Sequence, residues 1–488
     1  MNLAAIVAAL ERVGDLVERP GVLPDIARVT EDSRRVEPGT LFCAVEGSTA
    51  DGHRFIPDAV KRGAVAVLAS RPGPYPVPAV IVRDGRVAVA IAAAEWHGRP
   101  ADSLTVVGVT GTNGKSTTVA LIRHLLADGA DTGSIGTVGA FDGTGAELPE
   151  GAGLTTPGAV ELQATFAELK RRGVKKVVME ASSHALDQRR LACVTLAAGV
   201  YTNLTHDHLD YHGDLSAYFA AKALLSTLVR DGGPEVVNLD DRAWNALERD
   251  DRLRRISYGQ ASSASVKATD VGLEASGTHF NLVLGGRALS VHTPLVGEFN
   301  VSNALAAAAT AWGLGRDATE ITERLRTAPQ VPGRVERLQA APFVVIRDYA
   351  HTPDALERVL RALKPLTPGR LVVLFGAGGD RDRRKRPVMG DIVARFADLP
   401  IVTSDNPRTE DPGSIIDQIE EGMASAARIR VVDRREAIRR ALTLAQPGDT
   451  VLLAGKGHET YQVIGTQKLP FDEREIVETE MRAIRGAP

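Results

Sequence analysis

Residues 108–118 read GVTGTNGKSTT, and they sit between an apolar run, LTVVGV (104–109), and a helical pattern that opens at Thr117. A buried strand running into a glycine-rich turn and then a helix is a phosphate-binding arrangement. Small residues let backbone N–H groups turn inward, and the helix N-terminus adds partial positive charge. Lys115 is placed to reach outer phosphates and Ser116 to ligate Mg²⁺. A strict Walker A loop would need Gly where this chain has Val109, so the pattern fails as a formula while its strand–loop–Lys–Ser–helix context holds. Only 11 of the 58 basic residues are Lys, so a Lys inside a motif is less often surface filler.

Working outward, KKVVME (175–180) is the clearest further strand, and alternation of strands with helices implies a parallel α/β core. Upstream, TLFCAV (40–45), AVAVLA (64–69) and AVIVRD (79–84) read as strands, and GRPADS (98–103) as a linker. Residues 265–300 look like antiparallel hairpins, followed by an Ala-rich helix over 302–313. After residue 333 the alternation restarts with VVIRDY, LVVLFG, PIVTSD, IRVVD and TVLLAG. Boundaries therefore fall near 101 and 332, giving domains 1–101, 102–331 and 332–488, in line with the prior for 488 residues.

Composition removes several classes. The formal net charge of −3 gives no basic field for nucleic acid, and aromatics at 4% leave little for base stacking. Two distant cysteines, Cys43 and Cys193, fit a reducing cytoplasm and no disulfide framework. The N-terminus reads as an amphipathic helix and not a secretion signal, and no apolar run approaches the ~20 residues of a membrane span. A cytoplasmic, monomeric protein is expected.

A nucleoside triphosphate needs a metal. Glu180, at the C-terminal end of its strand, would face the phosphate loop, although strand-end Glu is common on any surface. THDHLDYHGD (205–214) holds three His and three Asp. The spacing His206-x-His208 invites zinc, but without a nearby Cys one His serving Mg²⁺–ATP is preferred, with His206 and His212 open to ordinary loop roles. Lys222, in SAYFAAKALLS, would repel a cation as a bare ammonium; only a carbamate would make it a ligand. Three loops close the chain's charged inventory: GAGGDRDRRKRP (376–387), DNPR (405–408) and GKGHE (455–459). Each follows a parallel strand, where open α/β sheets place ligands. Any one alone is an ordinary turn; together, mixing Arg with carboxylates, they suit a zwitterion such as an amino acid.

Assembled in order, TGTNGKS (110–116), LTTP (154–157), MEASSHAL (179–186), TNLTHDHLDYHGD (202–214), FAAKALL (219–225), GEFNVSNALAA (297–307), PGRVE (332–336), DYAHTPDAL (348–356), GDRDRRKRP (379–387), DNPR and GKGHE closely resemble the Mur ligase family. The resemblance spans nearly the whole chain. It implies a three-domain α/β architecture: an N-terminal UDP-sugar domain, a central P-loop ATPase domain and a C-terminal Rossmann-like parallel-sheet domain.

It further implies a ligase of peptidoglycan synthesis, and so of cell-wall biogenesis, shape and division. ATP would phosphorylate the D-glutamate γ-carboxylate of UDP-N-acetylmuramoyl-L-alanyl-D-glutamate, and meso-diaminopimelate would attack the acyl phosphate. The nearest alternatives are the L-lysine-adding version and folylpolyglutamate synthase. A GTPase-like switch would need a base-reading NKxD motif, which is missing. By resemblance, Gly111, Thr112, Asn113, Gly114, Lys115, Ser116 and Thr117 hold ATP phosphates, with Asn303, Arg334 and Asp348 on the rest of the nucleotide. Ser116, Glu180, His208 and a carbamylated Lys222 complete the Mg²⁺ site, and Lys115, Lys222 and His208 are catalytic. Ser33 and the loop of Ser48, Thr49 and Ala50 would take the UDP end. Thr155, Thr156, Ser182, Gln188 and Arg190 would hold the muramoyl dipeptide. Arg381, Asp405, Asn406, Pro407, Arg408, Gly455 and Glu459 would select the amino acid. Leu154 and Gly158 depart from the family's usual residues beside TTP. Closure of the three domains around the ligands is expected.

Overall fold

The computed structural model describes residues 1–486 except 48–49, 150–153, 275 and 425, with backbone alone at 485–486. Its contacts form two compact units. One holds residues 1–267, 283–286 and 302–321; the other holds 268–282, 287–301 and 322–488.

The first unit opens with the helix Leu3–Arg12, whose Asn2 side chain accepts from the Ala4 N–H at 2.9 Å. Leu3, Ile6, Val7 and Leu10 are its buried face, at the spacing of an amphipathic helix. The strands expected near 40, 64 and 79 all form. They lie in a five-stranded sheet ordered Leu16–Glu18, Ala79–Val82, Ala64–Ala69, Thr40–Ala44, Arg28–Thr30. Only Leu16–Glu18 runs antiparallel to its neighbour. The helix Gly85–Trp96 is buried over residues 88–94 because it packs between this sheet and the helix Ala159–Arg171. That burial accounts for an apolar run too short to span a membrane, and no helix among the described residues is long and apolar enough to cross one.

The strand Thr105–Thr110 lies between Lys176–Glu180 and Leu196–Tyr201, parallel to both. Thr132–Gly136 lies beyond the former, Pro234–Asn238 and Arg254–Gly259 beyond the latter. Val109 is level with Glu180, and Thr110 with Tyr201, so three strands end together at the loop that follows Thr110. These strands are buried on both faces, which is why they read as unbroken apolar runs.

The stretch expected as hairpins forms Val266–Glu274, Gly277–Leu284 and Arg287–Thr293, neighbours in chain order, and most of it belongs to the second unit. The C-terminal sheet runs Glu336–Gln339, Val344–Asp348, Thr450–Ala454, Leu371–Phe375, Leu399–Val402, Ile429–Arg430, and only its first pair is antiparallel. Leu371, Val373 and Phe375 face Leu356, Leu360, Met389, Ile392 and Ile416 on one side. Val372 and Leu374 face Ile438, Leu442, Ile476 and Met481 on the other. Helices therefore cover both faces of a doubly wound sheet. The strand expected over 429–433 covers only Ile429–Arg430, because it is an edge strand paired on one side and Asp433 already caps the helix Arg434–Leu444.

Candidate active site

The loop after Thr110 is stitched to residues 202–205. Asn203 accepts from the backbone N–H groups of Thr112 (2.7 Å, through its carbonyl) and Asn113 (2.9 Å, through Oδ1). Thr202 Oγ1 donates to the Asn113 carbonyl at 2.7 Å, and the Thr112 hydroxyl accepts from the Thr205 N–H at 3.0 Å. Gly111 has φ +144°, and a Cβ there would fall 1.8 Å from Thr202 Oγ1. Gly114 has φ +83°, caps the helix Lys115–Leu126, and a Cβ would meet Asn303 Oδ1 at 2.4 Å. Only glycine fits either place. Thr118 donates to Asn303 Oδ1 at 3.3 Å, so the Asn expected at the nucleotide packs on the first turns of the loop's helix. Thr117 is buried in its first turn.

Around this loop the expected metal and catalytic residues come together. Ser116 Oγ donates to Glu180 Oε1 at 2.8 Å, and the Thr137 N–H and hydroxyl reach the same carboxylate at 2.9 and 3.1 Å. Lys115 Nζ donates to the carbonyls of Gly111 (2.9 Å) and Thr112 (2.8 Å). Lys222 is 1% exposed, and its Nζ donates to that same Gly111 carbonyl at 2.8 Å. Two lysine amines thus share one oxygen. Burial above all, and then Lys115, push the Lys222 amine well below the ordinary lysine range. His208, in a left-handed conformation (φ +54°), has its imidazole pKa lowered by burial, which outweighs the opposing Asp207 carboxylate, while Lys115 and Lys222 add smaller pushes in the same direction as burial.

The TTP segment lies beside this group. Thr137 donates to Thr155 Oγ1 at 3.0 Å; Thr156 donates to the Glu180 carbonyl at 2.7 Å and accepts from the Ser182 N–H at 3.0 Å. Arg190 donates to the Thr156 carbonyl and to Gln188 Oε1, both at 2.7 Å. The expected dipeptide residues are therefore one hydrogen-bonded patch. Ser33 begins a short turn, Ser33–Arg35, and Arg35 pairs with Glu161 at 3.1 Å. Ala50 is exposed, its carbonyl accepting from the Gly47 N–H, while Ser48 and Thr49 lie outside the described residues.

In the second unit the ends of four parallel strands assemble a second polar centre. The Gly455 N–H donates to the Asp348 carbonyl at 2.9 Å, and a Cβ on Gly455 would fall 2.9 Å from Asp405 Oδ2. Asp348 accepts from the Val335 N–H at 2.7 Å and burial raises its pKa, while Arg334 lies over the Tyr349 ring at 4.8 Å. Asn406 Nδ2 donates to Glu459 at 2.8 Å. Burial pushes the Asp405 carboxyl up, but Lys456, Arg434 and His351 outweigh it and hold it below the usual range. Pro407 is buried, and Arg408, half-buried with φ +54°, donates to the Gly379 carbonyl at 2.9 Å. Arg381 is exposed at the rim.

Several site residues carry no sequence signal of their own. His184 meets His208 and His212 edge to face and Tyr211 at a tilt, with 4.2–5.3 Å between ring centres; burial first, then the neighbouring imidazoles, bring its pKa down to about 4. Within GDRDRRKRP, Arg386 is not a ligand-facing charge: it is fully buried, paired with Glu410 at 2.9 Å. Arg434 is fully buried on Glu473 and donates to the carbonyls of Ser404 and Ala454, one residue before Asp405 and Gly455. The run DRRKR signals charge and says nothing of depth, and Arg434 and Glu473 stand far apart in sequence.

Family models match in three segments: "Mur ligase family, catalytic domain" over 25–102, "Mur ligase middle domain" over 109–311, and "Mur ligase, glutamate ligase domain" over 333–457. The chain is 42% identical over 469 residues to the UDP-N-acetylmuramoyl-L-alanyl-D-glutamate–2,6-diaminopimelate ligase of Geobacillus kaustophilus, covering 94% of this chain and 95% of that protein. The ligase of the same name from Geobacter metallireducens is 44% identical over 481 residues, with 93% of each covered. A solved structure of a ligase of that name superposes with a TM-score of 0.69 at 33% identity, covering 96% of this chain and 98% of the other.

Proposed function

The chain belongs to the Mur ligase family, and from that premise we propose that it joins meso-diaminopimelate to the γ-carboxylate of UDP-N-acetylmuramoyl-L-alanyl-D-glutamate at the expense of ATP. The observation that carries this reading is similarity from end to end, at 42–44% identity, to relatives named for that reaction. Residues 1–101, 102–331 and 332–488 are taken as the UDP-sugar, ATP and amino-acid domains.

The chemistry has two steps. The γ-phosphoryl group of ATP passes to a γ-carboxylate oxygen of the D-glutamate, giving an acyl phosphate and ADP. The amine of diaminopimelate then attacks the acyl carbon, a tetrahedral intermediate forms, and inorganic phosphate leaves with the amine's proton lost to solvent. Alignment and charge neutralisation dominate such a reaction. Lys115 is assigned to the transferred phosphoryl group; its present carbonyl partners are weak competitors for an ammonium beside phosphate. Thr156, Ser182, Gln188 and Arg190 are assigned to the dipeptide, and Asp405, Asn406, Arg408 and Glu459 to the zwitterion.

The residues present suit Mg²⁺: a hydroxyl on a buried carboxylate, Ser116 and Glu180, is a hard oxygen pair, and His208 lies within electrostatic reach of Lys115 and Lys222. When bound, Mg²⁺ would neutralise phosphate oxygens. A buried lysine whose amine is neutral can add CO₂, forming the N–C bond and releasing one proton, and the resulting carbamate would place an anion next to Lys115. Lys222 is assigned that modification.

The test is phosphate release. It should require UDP-muramoyl dipeptide and amino acid together, and Lys115→Ala should lose it while keeping its melting temperature. Hydrolysis of ATP without either substrate, or a Lys115→Ala enzyme turning over normally, would remove the assignment.

A further inference from the structure

A lysine that the reaction does not use lies beneath the amino-acid loops. Lys456 is fully buried, and its Nζ meets Asn406 Oδ1 at 3.0 Å, Glu459 Oε2 at 3.2 Å and Asp405 Oδ1 at 3.5 Å. Its three acceptors are three of the side chains assigned to the zwitterion. Asn406 Oδ1 also accepts from the Val463 N–H at 2.9 Å, so two donors fix which way its amide points and leave Nδ2 to donate to Glu459 Oε2 at 2.8 Å. Lys456 and Asn406 therefore converge on one oxygen of Glu459. Among the described residues the second oxygen takes no donor, and it keeps its acceptor capacity for a ligand.

Resting on the ligase reading above, we propose that Lys456 is the positioning residue of the amino-acid site. It pins Glu459 directly and through the Asn406 amide, so that one carboxylate oxygen is held ready for the ammonium of the incoming zwitterion. Three acceptors gathered in a dry pocket would otherwise repel one another or rotate, and Glu459 would have to be reorganised at each binding event. Lys456 cannot touch the substrate itself, because it is closed in by its acceptors and by Phe471 at 5.9 Å. It acts through Glu459.

The test is a double-mutant cycle on the full-length enzyme: Lys456→Met, Glu459→Gln and both together, with KM measured for each of the three substrates. Lys456→Met should raise KM for meso-diaminopimelate by about thirtyfold or more, with KM for ATP and for the UDP-dipeptide within about threefold of wild type. The double variant should be no worse than Glu459→Gln alone, since the two act as a unit. Removing the lysine and the carboxylate charge together keeps the pocket balanced, so the double variant decides the matter even where Lys456→Met alone does not fold. An unchanged KM for the amino acid, a parallel rise in all three KM values, or an additive double variant would overturn the proposal. Wild-type enzyme that ligates a different amino acid would refute the substrate reading instead, and the cycle is then run with that amino acid.

Discussion

Lys222→Met should make the protein more stable and inactive at once. Lys222 is 1% exposed, and among the described residues its amine finds one acceptor, the Gly111 carbonyl at 2.8 Å, beside the Tyr218 ring at 4.4 Å. Methionine fills nearly the same volume, and the Gly111 carbonyl keeps Lys115 at 2.9 Å, so no acceptor is orphaned. Replacing a buried charge by an apolar chain of like size is worth about 1–4 kcal/mol, against about 1 kcal/mol for the hydrogen bond lost. The net gain is a melting-temperature rise of a few degrees.

The gain should depend on pH, with a defined sign. The folded-state amine is depressed well below its ordinary 10.5, so below 10.5 the unfolded chain binds the extra proton. Wild-type stability therefore rises with pH from the depressed value up to 10.5, by about 1.4 kcal/mol per unit, and the advantage of Lys222→Met shrinks over that window. Calorimetry of both proteins from pH 6 to 10 in CO₂-free buffer reads this directly, and bicarbonate should narrow the gap by converting the wild-type amine to carbamate. A Lys222→Met protein that melts below wild type at every pH would refute the reasoning, because the lysine would then be an ordinary stabilising cation.

Other outcomes follow from the same geometry. Gly111→Ala sets a Cβ 1.8 Å from Thr202 Oγ1 at φ +144°; it should cost about 1–3 kcal/mol and raise KM for ATP at least about tenfold, read by thermal melts and steady-state kinetics. Arg408→Ala should collapse the preference for meso-diaminopimelate over L-lysine by about two to three decades, because Arg alone offers a planar fork to the extra carboxylate; competition between the two amino acids measures it. Arg434→Met leaves Glu473 buried without its partner at 2.8 Å and should cost about 3–5 kcal/mol by urea denaturation.

What the sequence disclosed was local and what it withheld was depth. The phosphate loop was legible because its chemistry is contiguous: strand, small residues, Lys115, Ser116 and helix follow one another. The partners of that loop were legible only as motifs, since Asn203, Glu180 and Lys222 reach it across other strands and helices. Arg386 looked like one more charge in a ligand loop, yet it is fully buried on Glu410, because a charge run does not say which member turns inward. Lys456 was passed over inside GKGHE for the same reason. The strand expected over 429–433 spans only Ile429–Arg430, since an apolar run is blind to how many neighbours a strand has.

The most direct test of the central claim is a panel of amino acids, including meso-diaminopimelate, L-lysine and L-ornithine, incubated with UDP-N-acetylmuramoyl-L-alanyl-D-glutamate, ATP and Mg²⁺, with products identified by mass. The account predicts one dominant product, heavier than the dipeptide by diaminopimelate less one water, formed with one ADP and one phosphate per bond. A dominant lysine product, or ADP released with no amide formed, would contradict it.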